Sequence, residues 1–197
     1  MKVRMPEVPE LVLEWRRKTG ADRFDEVWDG VLHMVPAANV GHQQFERSLL
    51  VWLSNHWMHS GREVLHQVNV SPDDDWLNNF RIPDIVLLMP EETRFLRDSF
   101  LQGAPSVVVE IRSPGDETFE KLSFYASLGA KEVWVISRDT RELQLFQLVG
   151  GAYEQAPGSQ TDWLLSDASR IELRHESDNK LGIRLAGDED SYARLPK

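Results

Sequence analysis

The sequence predicts a mixed α/β or α+β domain, a mixed sheet with helices packed on it. Three observations carry that prediction. In "FDEVWDGVLHMV" the Asp29-Gly30 pair sits between two alternating stretches, a strong short-range signal for a tight turn joining two strands. From about His42 to Ser60, Phe45, Leu49, Leu50, Trp52, Leu53 and Trp57 recur at near-helical spacing. Downstream, the apolar runs "RIPDIVLLMP" and "SVVVEIRS" read as strands, and "EVWVIS" follows after one helical stretch.

The elements follow in order. "PELVLEWRRK" sets Leu11, Leu13 and Trp15 among charges with Gly20 just beyond, which predicts a short amphipathic helix with a glycine stop. The hairpin comes next, then the long helix, with Asn39 as its candidate N-cap. "EVLHQVNV" alternates as one strand, and "SPDDDWLNN" is an acidic, turn-rich loop without the ordered spacing of a calcium-binding hand. After the Ser113-Pro114-Gly115 break, "TFEKLSFYASLG" predicts a helix of about three turns ending at its glycine. "EVWVIS" and "ELQLFQL" are strands joined through "RDTR". Beyond Gly150 the pattern weakens. "AYEQ", "RIELR" and "LGIRL" read as short strands, and "AGDEDSYARLPK" reads as a solvated tail. One domain over residues 1–197 is the expectation, with its core at about 8–150 and a C-terminal extension over about 151–197.

Composition narrows the function. With 32 acidic against 22 basic residues the formal charge is -10, the opposite sign to a non-specific nucleic-acid binder, so any DNA contact must rely on local basic groups and be weak and salt-sensitive. The absence of cysteine excludes disulfides and thiolate metal sites, and agrees with a reducing cytoplasm, the expected location. No apolar run approaches the roughly 20 residues that span a bilayer, and "MKVRMPEVPE" lacks the apolar stretch of a secretory signal. No membrane partner is expected.

Two apolar strands each hold an acid: Asp84 in "RIPDIVLL" and Glu110 in "SVVVEIRS". A buried carboxylate neutralises, pairs or binds a cation. If the strands are neighbours, both acids lie near one end of the sheet. Two carboxylates with a main-chain carbonyl, that of Ile111, are oxygen donors suited to magnesium or manganese. Lys121, in the first half of the following helix, can reach back to the same edge and hold an attacking water or steady phosphate charge. Other readings stand beside this one. Asp84 could end a turn, Glu110 could pair with Arg112 or Arg81, and Lys121 could be a solvated helix residue. Glu26 could be a cross-strand charge or reach a metal from the hairpin. His56 and His59 have a zinc-compatible spacing but lack a matching third ligand. An unpaired Glu110 would have a raised pKa, and Glu110→Gln would then stabilise the metal-free fold; an ion pair predicts the reverse.

From about residue 8 to 150 the chain resembles the Uma-type proteins, a bacterial family of restriction-endonuclease-like domains in the PD-(D/E)XK nuclease superfamily. The matching stretches are "FDEVWDGVL", "GHQQ", "RIPDIVLL", "VVVEIRSPGDETFEKLSFYASLGAKEVWVI" and "RELQLF". The resemblance implies a restriction-endonuclease-like mixed sheet flanked by helices, and a magnesium- or manganese-dependent endonuclease acting on DNA. It implies Asp84 and Glu110 as metal ligands, Lys121 as the catalytic lysine, Glu26 as an acid from the hairpin and His42 as a polar residue near the site. The superfamily's usual lysine position, two residues after the second acid, is here Arg112, which becomes a substrate-contact candidate. A homodimer would suit two-strand cleavage. A catalytically silent binding module that keeps the fold is the alternative, motivated by the net charge.

Overall fold

The computed structural model describes residues 8–158 and 162–196, so most of the stretch read as lacking a secretory signal lies outside the described residues. Helix α1 (Glu10–Thr19) stops at Gly20, whose φ of 70° suits a residue without a Cβ and directs its N–H back to Arg16 and Arg17. None of its residues is buried. Strands β1 (Glu26–Trp28) and β2 (Val31–His33) form the expected hairpin; Asp29 and Gly30 both have positive φ, the sign that lets a two-residue turn match the strand twist. Helix α2 (Val40–His56) is capped by Asn39, whose side chain accepts from the His42 N–H at 2.9 Å.

Strands β3 (Glu63–His66) and β4 (Asn69–Ser71) replace the single strand read from "EVLHQVNV". Gln67 turns the chain between them at a φ of 52°, and its N–H donates to the Asp84 carbonyl at 3.1 Å. Strands β5 (Ile85–Leu88), β6 (Phe100–Gln102) and β7 (Val107–Arg112) follow. The predicted helix after the Ser-Pro-Gly break divides into a 3-10 turn, Phe119–Lys121, and α3 (Leu122–Leu128). Strands β8 (Glu132–Ser137), β9 (Leu143–Val149) and β10 (Ala152–Gln155) complete a six-stranded sheet in the order β10-β9-β8-β7-β5-β3. It is mixed: β7 and β8 run parallel across the α3 connection, and every other pair is antiparallel.

The pleat of β7 divides the interior. Val107, Val109 and Ile111 pack with Phe45, Leu49, Trp52 and Leu53 of α2 and with Trp57 just beyond its end, while Val108 packs with Phe124 and Tyr125 of α3. Strand β4 pairs in parallel with β6 as a separate ribbon. The C-terminal residues form the strands expected at "RIELR" and "LGIRL" but depart from expectation at the tail. Strands β11 (Leu164–Ser166), β12 (Ile171–Glu176), β13 (Lys180–Leu185) and β14 (Asp188–Leu195) form a second antiparallel sheet, and β14 occupies most of the stretch read as a solvated tail. Its Leu195 joins the α2 core, and Trp52 donates its indole N–H to the Ser191 carbonyl at 2.9 Å. Among the described residues no helix is long and apolar enough to cross a membrane.

Candidate active site

The antiparallel register of β5 on β7 pairs Ile85 with Val109 and Val86 with Val108. One step further, Asp84 stands opposite Glu110, and opposed residues of an antiparallel pair share a face. Asp84 Oδ2 accepts from the Ile111 N–H at 2.6 Å, so the side chain itself continues the ladder past the end of β5. Because N–H and C=O of one strand residue point the same way, the Ile111 carbonyl is on that edge too. The two acids read from separate strands therefore meet at one sheet end.

Glu110 is buried and has two partners. The Tyr125 hydroxyl donates to its Oε1 at 2.6 Å, and Lys121 Nζ lies 3.3 Å from the same oxygen. Neither Arg112 nor Arg81 is among these partners. Lys121 also lies 2.8 Å from Glu26 Oε1. Glu26 is fixed in turn by the Ile82 N–H at 2.7 Å and by the Trp28 indole N–H at 2.7 Å. The hairpin thus delivers a carboxylate whose remaining capacity holds the lysine. Arg81 packs its guanidinium between Trp28 and Phe124, 4.4 Å and 4.1 Å from the ring centroids, behind this cluster.

On the other side of Asp84, His42 Nε2 lies 2.9 Å from Asp84 Oδ1. One helical turn on, Glu46 Oε2 lies 4.0 Å from the same nitrogen, and Gln67 donates to Glu46 at 3.4 Å. Asp84, with 16 % of its side chain exposed, is more open than Glu110 at 6 % and forms the solvent-facing end of the acid pair.

One ammonium serves two carboxylates, and this sets the protonation. Burial pushes the Glu110 carboxyl up to about 8; Lys121 pulls it down, and Asp84 and Glu26 push it further up. Burial also works against the charge on Lys121, but Glu110 and Glu26 outweigh it and hold the ammonium above its ordinary value. Glu26 is the closer partner, so the shortage of positive charge falls on Glu110. Burial raises Glu46 to about 7, with Asp84 adding to the rise. Burial disfavours the charged His42 ring, yet the Asp84 hydrogen bond and the charges of Asp84 and Glu46 raise its pKa overall.

Of the residues singled out in the sequence, Asp84, Glu110, Ile111, Lys121, Glu26 and His42 converge. Arg112 does not join them: it is exposed, with its guanidinium 5.3 Å from the Phe119 ring centroid. His56 bonds the Trp52 carbonyl and His59 the Ser60 hydroxyl. Two participants escaped the sequence reading. Tyr125 lies in the helix predicted at "TFEKLSFYASLG", four residues after Lys121 and one turn along the same helical face, but was not singled out there. Glu46 stands four residues after His42, a spacing that was there to be used.

Comparison with known proteins comes from two directions. The profile of the family described as "Uma2: Putative restriction endonuclease" matches residues 5–174, further than the 8–150 quoted for the resemblance. Among solved structures, the chain is similar to "a putative nuclease belonging to DUF820" from Anabaena variabilis ATCC 29413, with a TM-score of 0.59 and 12 % identity, covering 74 % of this chain and 83 % of that one. At that identity the likeness is one of fold. A search of curated proteins found no match.

Proposed function

Because the chain belongs to the Uma2 family, we propose that it is a divalent-cation-dependent endonuclease hydrolysing DNA phosphodiester bonds, with Asp84, Glu110, Lys121 and Glu26 as its reacting machinery. The observation that carries this reading is the meeting of Asp84, Glu110 and Lys121 at one end of the β5–β7 pair. The residues fit a hard dication by donor chemistry: two carboxylates and the Ile111 carbonyl are oxygen ligands, and Glu110 is short of compensating charge. Magnesium or manganese held there would supply Lewis-acid charge to the carboxylates and to the phosphate oxygens of the transition state.

The chain's own groups divide the remaining work. Lys121 stays protonated, so it acts as a hydrogen-bond donor and fixed charge rather than as a base: it orients the attacking water and steadies negative charge on the phosphate oxygens. Glu26 anchors that ammonium through Oε1. His42 turns Asp84 by its Oδ1, and the Ile111 N–H holds Oδ2, which together fix the carboxylate plane. Arg112, exposed beside Phe119, is the basic group two residues beyond Glu110 available to a phosphate strand. Supercoiled plasmid incubated with pure protein and manganese should be nicked, and the Glu110→Ala control should leave it intact. Equal nicking by both would remove the assignment.

A second reading has one observation in its favour. A net charge of -10 opposes a polyanionic substrate, as expected of a regulatory module that keeps the fold without the chemistry. Calorimetry showing no divalent-cation binding would select it.

A further inference from the structure

We propose that the recess walled by Arg23, Phe24, His66, Gln67, Asn69 and Ile82 takes an unpaired nucleotide of the DNA strand being cut, so that the substrate is single-stranded or locally opened DNA. The recess has a volume of about 440 Å³, within the roughly 300–1,000 Å³ of ligand clefts. Two of its walls are bonded to acids of the candidate site. The Gln67 N–H donates to the Asp84 carbonyl at 3.1 Å, and the Ile82 N–H donates to Glu26 Oε1 at 2.7 Å. The recess therefore adjoins the place where the scissile phosphate would sit.

Charge and hydrogen-bonding capacity choose the occupant. In a chain of net charge -10, no carboxylate lines this recess, and Arg23 is exposed without a carboxylate partner among the described residues. A second recess of about 460 Å³ shares His66, Gln67 and Asn69 and continues to Arg97, with Asp98 the one acid on its walls. The two meet at the turn between β3 and β4 and make a track with a guanidinium at each end, as a phosphate backbone requires. Phe24 adds an aromatic surface, and stacking of a base on an aromatic ring tolerates any base. The amides of Gln67 and Asn69 each spend one N–H inside the protein, on Glu46 at 3.4 Å and on the Ser99 carbonyl at 2.9 Å. A second N–H and a carbonyl oxygen are left on each for a base edge. Gln67 holds its amide there from a φ of 52°, strained for a residue with a Cβ, and strain of this kind gathers at ligand clamps. In a duplex, base edges are read by a helix or ribbon pushed into a groove of the DNA. Here the reading groups line a concavity of the protein, so the base must leave its stack to meet them. Negative supercoiling favours such opening, which keeps a supercoiled plasmid a substrate.

The inference rests on the nuclease reading for the identity of its ligand, and binding alone tests it. The probe is a short fluorescent DNA strand, free or annealed to its complement, titrated with the full chain in calcium, an oxygen-seeking dication, and followed by anisotropy. The single strand should bind roughly tenfold tighter than the duplex, and Phe24→Leu should weaken it roughly fivefold or more through lost stacking. Arg23→Gln should lower the slope of log affinity against log salt by about 0.7, the share of one phosphate contact on a single strand. Gln67→Gly guards against a folding artefact: glycine suits the φ of 52°, so this variant should melt no lower than wild type and still bind the single strand about fivefold more weakly. Duplex bound as tightly as single strand, no binding of the single strand by wild type, or single-strand affinity unchanged in both Phe24→Leu and Gln67→Gly would overturn the recess as a nucleotide site. The nuclease reading fails on a different result, plasmid nicking unchanged in Glu110→Ala.

Discussion

Lys121 Nζ sits 2.8 Å from Glu26 Oε1, a bond that joins the N-terminal hairpin to the start of α3 and leaves Glu110 as the lysine's second partner at 3.3 Å. Both acids are buried, so the ammonium is a structural cation whatever its part in the proposed chemistry. Lys121→Ala should therefore cost roughly 3–5 kcal/mol, the usual penalty for orphaning one side of a buried ion pair. Lys121→Arg should restore most of the denaturation midpoint but not cleavage, because a planar fork cannot replace a point donor. Urea melts beside plasmid nicking check both; an alanine variant as stable as wild type would contradict the buried-pair account.

Glu110 gives the metal-free protein a particular pH dependence. Its carboxyl is raised from 4.5 to about 8, so across that window the folded chain holds more proton than the unfolded one, and stability falls as pH rises through it. Glu46, raised to about 7, adds a slope of the same sign at lower pH. Glu110→Gln removes the first contribution. The melting temperature of the variant relative to wild type should be near zero difference at pH 5 and rise toward pH 9, by on the order of a few kcal/mol in stability. A difference independent of pH would contradict this.

Asp84→Asn keeps the shape and one acceptor for the Ile111 N–H, so the metal-free fold should change by only about 1 kcal/mol. Calorimetric heats for manganese should disappear. Retained binding at wild-type affinity would exclude Asp84 as a ligand.

Leu195 is 1 % exposed at the end of β14 and packs in the α2 core. Leu195→Ala should cost about 2–4 kcal/mol by leaving a cavity there. A loss below about 0.5 kcal/mol in thermal denaturation would mean that these residues contribute as little as a solvated tail does.

The elements most legible in the sequence were those with local causes. Asp29-Gly30 specifies its turn through backbone sign, Asn39 and Gly20 mark helix ends, and an acid inside an apolar run signals its own need for a partner. What escaped depends on distant contacts. Strand β14 shows little alternation: Asp188, Glu189 and Asp190 are exposed, and only Ser191 and Leu195 are buried, so its place comes from pairing with β13 and from the Trp52 indole. The break at Gln67 needs a positive φ on a residue that rarely adopts one. Glu46 is a common residue type on a helix, and only the fold shows that its face is closed.

Glu26, Asp84, Glu110 and Lys121 arrive from a hairpin, a strand mouth, a central strand and the helix after it. No contiguous stretch of chain carries more than a fraction of the set. A chain still emerging from the ribosome, or a fragment released by proteolysis, would therefore lack the assembled set. On the nuclease proposal, the four side chains come together only when the sheet closes.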